Sequence, residues 1–240
     1  MYSLQSFKEL PSTNTYALQN LAKLSDKQVV VADKQTAGRG RFNREWFSDI
    51  PGNVYLSIIL KPKDTNRFII SALSHFTAII ICRTLEEYKV RANIKWPNDI
   101  LVKGQKIAGI LAESSFSGQQ FLGLVMGIGV NLNMPQEFPK RINRSATSLN
   151  LLQGKEVNRD FFITSFLNKF FECYDKYCET GFPIIKKEYI KKSSFIGEKV
   201  NVKCGEDIKS GIAQSLTDNG ELILLTDSGT LEEISVGEIY

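Results

Sequence analysis

An α+β fold followed by a small β-barrel is what this sequence of 240 residues predicts. Three observations carry that prediction. Apolar residues recur with helical spacing near residues 66–88 and 159–178. Lys103-Gly104-Gln105 and Phe116-Ser117-Gly118 read as hairpin turns joining three strand-like segments. After Phe195, short alternating segments follow one another between turn residues, the mark of a small barrel.

The elements follow in order. Residues 2–8 alternate loosely and predict a first strand. Pro11-Ser12-Thr13-Asn14 gives a turn and a helix start, with Ser12 or Thr13 as N-cap and Leu18, Leu21, Ala22 and Leu24 as the apolar face. Gln28–Asp33 is rich in β-branched residues and reads as a strand. A polar loop spans 34–52, then a strand Asn53–Leu60 and the first long helix. Strands are expected near 92–96, 99–103, 106–115 and 120–130, a polar loop over Asn131–Asn158, and helices near 159–178 and 183–193. Glu198–Lys203, Ile208–Leu216, Glu221–Leu225 and Thr230–Val236 are the barrel strands. A unit of about 45 residues is marginal alone, so it is expected to pack on the main body. The predicted boundary separates 1–194 from 195–240.

Composition narrows the function. The net charge is +4 and basic residues are dispersed, which argues against a nucleic-acid tail. Cys82, Cys173, Cys178 and Cys204 lack the spacing of a zinc or redox motif and read as reduced thiols. The single histidine, His75, lies in an apolar run and reads as a packed or surface residue. Without a signal peptide or a long apolar run, a cytoplasmic location with no membrane contact is expected.

Four runs carry chemistry. Lys34–Trp46 contains Gly38-Arg39-Gly40-Arg41-Phe42-Asn43-Arg44; glycines permit close backbone approach and arginines offer planar donor forks for phosphate or carboxylate. It reads either as a solvated basic loop or as a loop folding over an anion. Lys95-Trp96-Pro97-Asn98-Asp99-Ile100 places Asn-Asp at a strand start. Lys106–Glu113 puts one lysine at the head of an apolar strand, with Gly109 beyond it. Gly127-Ile128-Gly129-Val130-Asn131 is a glycine-spaced strand end, with no helix or third glycine to make a dinucleotide fingerprint.

In this order, with Ser12-Thr13-Asn14, Gln35 and Ala146-Thr147-Ser148-Leu149, the runs resemble the biotin protein ligase family over residues 1 to about 190. The C-terminal piece is similar to the family's Src-homology-3-like domain. The resemblance implies a mixed, largely antiparallel sheet with helices on one side, the biotin–lipoate ligase fold related to class II aminoacyl-tRNA synthetases. It implies a ligase that joins biotin and ATP, with Mg²⁺, into biotinyl-5′-AMP and then biotinylates a lysine of a biotin carboxyl carrier protein. Because the chain starts almost at the first catalytic strand, it is expected to be the monofunctional type, without a DNA-binding domain. An exposed sheet edge could serve a homodimer or the carrier.

By the same resemblance, Lys106, Arg41 and Asp99 are the catalytic residues. Lys106 would lie between the biotin carboxylate and the phosphate, and Asp99 would orient or deprotonate the carrier lysine, or only cap the turn. Ser12, Thr13, Asn14, Gln35, Arg39, Gly40, Arg41, Lys106 and Gly109 would bind biotin. Arg39, Arg41, Arg44, Trp46, Asn98, Lys106 and Asn131 would bind ATP or the adenylate. No metal ligands are assigned. The family's second loop glycine is replaced by Asn43, which tolerates left-handed backbone and puts the placement of Arg44 in question. A lipoate–protein ligase is the nearest rival, but its arginine-and-glycine run is not found. A nucleic-acid-binding barrel is disfavoured because Tyr240 is the only aromatic residue in 197–240.

Overall fold

The computed structural model describes residues 2–62, 70–137 and 145–240, and the backbone but not the side chain of Asn43. The start of the first long helix and residues 138–144 of the predicted loop lie outside them. Seven strands form the main sheet: β1 (Ser3–Leu10), β2 (Gln28–Gln35), β3 (Val54–Leu60), β4 (Asn93–Lys95), β5 (Asp99–Val102), β6 (Gln105–Ser117) and β7 (Gln120–Val130). Their order is β1-β2-β3-β7-β6-β5-β4. Only β1 and β2 pair in parallel, as a helix between them requires; every other neighbouring pair is antiparallel. The sheet is therefore mixed and largely antiparallel.

Strand periodicity sends alternate residues to opposite faces, and the two faces differ. One carries Val29, Val31, Ile58, Leu60, Leu124, Met126 and Ile128, packed into the large core. That core is covered by α2 (Leu73–Glu87), the short α3 (Leu149–Gln153), α4 (Arg159–Thr180) and α5 (Pro183–Lys192). Helix α4 buries Phe162, Phe166, Phe170, Tyr174 and Tyr177 at spacings of one helical turn; the Asn158 side chain caps its start by accepting from Phe161 N at 2.9 Å. Phe76 of α2 meets Phe170 and Tyr177 with ring centroids 5.1 and 4.6 Å apart.

The other face carries Val30, Ala32, Ile59 and Val125 against α1 (Thr13–Gln19) and the turns that follow. This corrects the expectation of helices on one side only. The correction follows from Ala17, Leu21 and Leu24, which are buried in this smaller core. Ala22 is exposed and is no part of its apolar face.

The last strands, β8 (Lys199–Cys204), β9 (Asp207–Leu216), β10 (Leu222–Thr226), β11 (Leu231–Ile234) and β12 (Glu238–Ile239), form an antiparallel sheet in the order β11-β10-β9-β8-β12. Strands β11 and β12 stay at opposite edges, so the small barrel that was predicted is seen as an antiparallel sheet that does not close on itself. With two residues, β12 is too short to add a full ladder. The sheet shares the large core through Val202, Ala213, Leu222 and Leu224, and Trp96 Nε1 donates to Gly220 O at 3.3 Å. No helix among the described residues is long and apolar enough to cross a membrane.

Candidate active site

The α1 face of the sheet opens into a cavity of about 420 Å³. Ser12, Thr13, Asn14, Gln35, Arg39, Gly40, Arg41, Arg44, Trp46, Asn98, Asp99, Lys106, Gly109 and Asn131 all line it. Every site residue named from the sequence is thus brought to one place from six separated segments. Their local roles differ.

One end is neutral and tightly hydrogen-bonded. Ser12 caps α1, its Oγ accepting from Thr15 N at 3.4 Å. Thr13 donates through its backbone N–H and its hydroxyl to Gln35 Oε1, at 2.8 and 3.2 Å. Gln35 passes the network on, donating to Ser48 Oγ at 2.9 Å. Ser57, fully buried in β3, lies 2.8 Å from Thr13 Oγ1 and donates to Asn14 Oδ1 at 2.5 Å. Asn14 Nδ2 donates to Leu111 O at 3.1 Å and to Glu113 Oε2 at 2.8 Å. Asn14 reaches the cavity as a wall whose amide is already engaged.

The floor is made by the absence of side chains. Gly109 and Gly129 are cross-strand partners, as are Leu111 and Gly127. A Cβ at Gly127 would lie 2.7 Å from Asn14 Cγ, and one at Gly129 would lie 2.6 Å from Cζ2 and Nε1 of Trp46. The Trp46 indole lies on this glycine floor, 3.0 Å from where a Cβ of Gly109 would be. Its Nε1 is buried without a hydrogen-bond partner among the described residues.

The other end is charged. Lys106 Nζ and Asp99 Oδ1 form an ion pair of 2.6 Å, and the ammonium sits 5.2 Å from the Trp46 ring centroid. Lys106 is held by its backbone: its N–H donates to Ser145 O at 3.0 Å and its carbonyl accepts from Thr147 N at 2.9 Å. Asn131 braces the same segment, donating from Nδ2 to Thr147 O at 3.0 Å. Asn98 Nδ2 donates to Ile110 O at 2.8 Å, and Asn98 Oδ1 accepts from Arg41 at 3.3 Å.

The arginine loop arches over this end. Gly40 N–H donates to Arg44 O at 2.7 Å and Trp46 N–H to Gly38 O at 3.0 Å, closing its neck. Arg39 reaches both oxygens of Glu113 at 3.0 Å. Burial lowers the pKa of Arg41 from its usual value, opposed by the charges of Glu238 and Asp99. The left-handed residue of the turn is Phe42, with φ of 55°, whereas the sequence pointed to position 43.

Ser57, Ser48, Glu113, Gly127 and Glu238 complete the site without having been assigned to it. Ser57 had a signal: a polar residue within an apolar strand needs partners. Glu113 shares a strand face with Gly109 and Leu111 at period two.

These features define a protein with a deep ligand cavity on one sheet face, neutral at one end and cationic at the other, roofed by an arginine loop. The chain belongs to the biotin/lipoate A/B protein ligase family, whose description matches residues 6–131; residues 195–240 match the biotin protein ligase C-terminal domain. It is 36% identical over 203 residues to the bifunctional ligase/repressor BirA of Bacillus subtilis, a match covering 84% of this chain and 62% of that protein. It is 31% identical over 238 residues to the biotin–[acetyl-CoA-carboxylase] ligase of Paracoccus denitrificans, covering 95% of this chain and 96% of that one. Among solved structures, the biotin protein ligase of Aquifex aeolicus in complex with biotin and ATP superposes with a TM-score of 0.85 at 31% identity, covering 100% and 98% of the two chains.

Proposed function

We propose that this protein is a biotin protein ligase that forms biotinyl-5′-AMP from biotin and ATP and then biotinylates a lysine of a biotin carboxyl carrier protein. One observation carries the reading: a single cavity joins a neutral hydrogen-bonding end to a cationic end along a floor of glycines on which the Trp46 indole lies. Biotin has the same polarity, a neutral ureido ring at one end and a carboxylate at the other.

In the first step a biotin carboxylate oxygen attacks the α-phosphorus of ATP and pyrophosphate leaves. Negative charge gathers where Lys106, Arg41 and Arg39 line the cavity, and such preorganised cations favour the transition state. The neutral end, Ser12, Thr13, Asn14 and Gln35, holds the ring by shape and by its hydroxyls. In the second step the carrier lysine's neutral amine attacks the acyl carbon and AMP leaves with the bonding pair. Asp99 takes or orients the amine proton, and its ion pair with Lys106 is the contact it exchanges in doing so. Trp46, Asn98 and Asn131 flank the adenylate side.

Of the acids in and beside the cavity, Asp99 pairs with Lys106, Glu238 with Arg44 and Glu113 with Arg39. No cluster of metal-ligating side chains occurs among the described residues. No cage for Mg²⁺ is formed among the described residues, and no step is assigned to the ion. We assign residues 1–194 to the catalytic unit and 195–240 to a C-terminal unit, acting in the cytoplasm.

The test is incubation with biotin, Mg-ATP and a biotin carboxyl carrier domain, followed by mass measurement of the carrier. A single biotinyl adduct on the carrier is expected. An unmodified carrier where a control ligase succeeds overturns the reading.

A further inference from the structure

The roof of the cavity is fastened by the last strand of the chain. Arg44 donates from both terminal nitrogens to the Glu238 carboxylate, at 2.6 Å each, the two-pronged geometry that makes an arginine–carboxylate pair strong. One residue earlier, the Gly237 carbonyl accepts from Arg41 Nη1 at 3.1 Å. The same nitrogen donates to Asn98 of the main body. Arg41 and Arg44 flank a single turn, so consecutive residues of the C-terminal segment hold both of its ends.

The turn needs that hold. Phe42 between them is 55% exposed and left-handed, a conformation a bulky residue adopts only where its surroundings impose it. Its ring is flanked by the guanidinium carbons of Arg41 and Arg44, 4.9 and 5.7 Å from the centroid. Backbone bonds from Gly40 N–H to Arg44 O at 2.7 Å and from Arg44 N–H to Arg41 O at 3.2 Å close the turn locally; the two arginines are its side-chain hold, tying it to the rest of the molecule. The C-terminal sheet is itself pinned to the main body through Trp96 and the shared core, so β12 is a fixed point against which a loop can close.

We propose that β12 is a latch for the arginine loop and that Glu238 is a positioning residue, acting through Arg44 and Arg41 on the cationic end of the cavity. Glu238 holds Arg44, the turn keeps its shape, and Arg41 spends only Nη1 on the latch, leaving its other donors for an anion. The identity of that anion, the phosphate chain of ATP, rests on the ligase reading; the latch itself does not.

The experiment uses the full chain with Glu238→Gln, Arg44→Lys, and the exchange of Glu238→Arg with Arg44→Glu. The first readout is the rate of limited tryptic cleavage after Arg39 and Arg41, without ligands. Loss of a two-pronged ion pair is expected to raise it about tenfold in Glu238→Gln and roughly threefold or more in Arg44→Lys. The charge exchange should return it to within about threefold of the parent. The second readout is pyrophosphate release with biotin. Glu238→Gln is expected to raise KM for ATP roughly tenfold with kcat within about twofold and KM for biotin unchanged, a split that a general loss of structure does not produce. Parental cleavage rates and parental KM for ATP in Glu238→Gln would overturn the latch, as would an exchange no better than the single variant. Should Glu238→Gln fail to fold, Arg44→Lys decides the question. If the parent releases no pyrophosphate, the ligase reading fails while the cleavage rates still decide the latch.

Discussion

Replacing Gly129 by alanine places one methyl group where the Trp46 indole now lies. The added carbon would sit 2.6 Å from Cζ2 and Nε1 and closer still to Cε2. Carbon contacts are optimal at about 3.5–4.0 Å, so the ring must retreat by about 1 Å or leave. Retaining it in place costs about 1–3 kcal/mol of overpacking. Leaving is cheap by comparison, because Nε1 gains water in place of a buried, unpartnered state, a relief of about 1–3 kcal/mol that offsets the lost burial. Gly129→Ala should therefore release the indole and leave the fold intact. The assay is tryptophan emission with acrylamide quenching. Trp96 is 1% exposed and supplies a constant background, so a red shift and faster quenching report Trp46 alone. Thermal stability should change little. Parental emission and quenching in the folded variant would refute the reasoning that the glycines exist to seat this ring.

Three further outcomes follow from particular contacts. Ser57→Ala leaves Asn14 Oδ1 without its buried donor and should cost about 1–3 kcal/mol, read as a lower urea midpoint; an unchanged midpoint would mean the network carries no stability. Lys106→Ala should slow pyrophosphate release by roughly 10²–10³-fold, the scale for losing one transition-state partner, with the ring pocket still binding biotin; a loss under tenfold would remove Lys106 from the chemistry. His75 is buried, and that burial, with the charge of Arg41 added, pushes its ring from 6.5 down to about 3. The unfolded chain binds the proton first as pH falls, so this contribution is complete above pH 6.5 and declines between 6.5 and 3 by about 1.4 kcal/mol per pH unit. Urea titrations at pH 7.5 and 5 should differ by about 2 kcal/mol more for the parent than for His75→Phe; equal differences would exclude His75 as the cause.

Much of the main sheet was legible because its signals are local. The Lys103-Gly104 turn has φ of 51° and 77°, the left-handed pair that a two-residue hairpin requires, and such a turn can be read from neighbouring letters. The motif residues also met in one cavity, because each lies at a strand end or on a strand face whose parity the sequence states. What was not legible is non-local. Nothing near Arg44 points to Glu238, 194 residues away, and an acidic residue in a short terminal strand reads as solvated until its partner is seen. The position of α1 behind the sheet depended on which alternate residues of β2 and β3 face it, and β3 is apolar on both faces, so its pattern is silent. In the C-terminal sheet the strands could be read from their turns, whereas the pairing of its edges could not.

Strand β7 answers to two neighbours at once. Leu124, Met126, Ile128 and Val130 fill the large core, while Gly123 meets Leu21 beyond α1, Val125 packs in the smaller core with Ala17, and Gly127 and Gly129 meet Asn14 and Trp46. In a scan of every substitution along this strand, tolerance should alternate with a beat of two: even positions reject anything small, odd positions near the cavity reject anything large. A shift of register by a single residue would exchange the two rules, filling the cavity and hollowing the core in one movement.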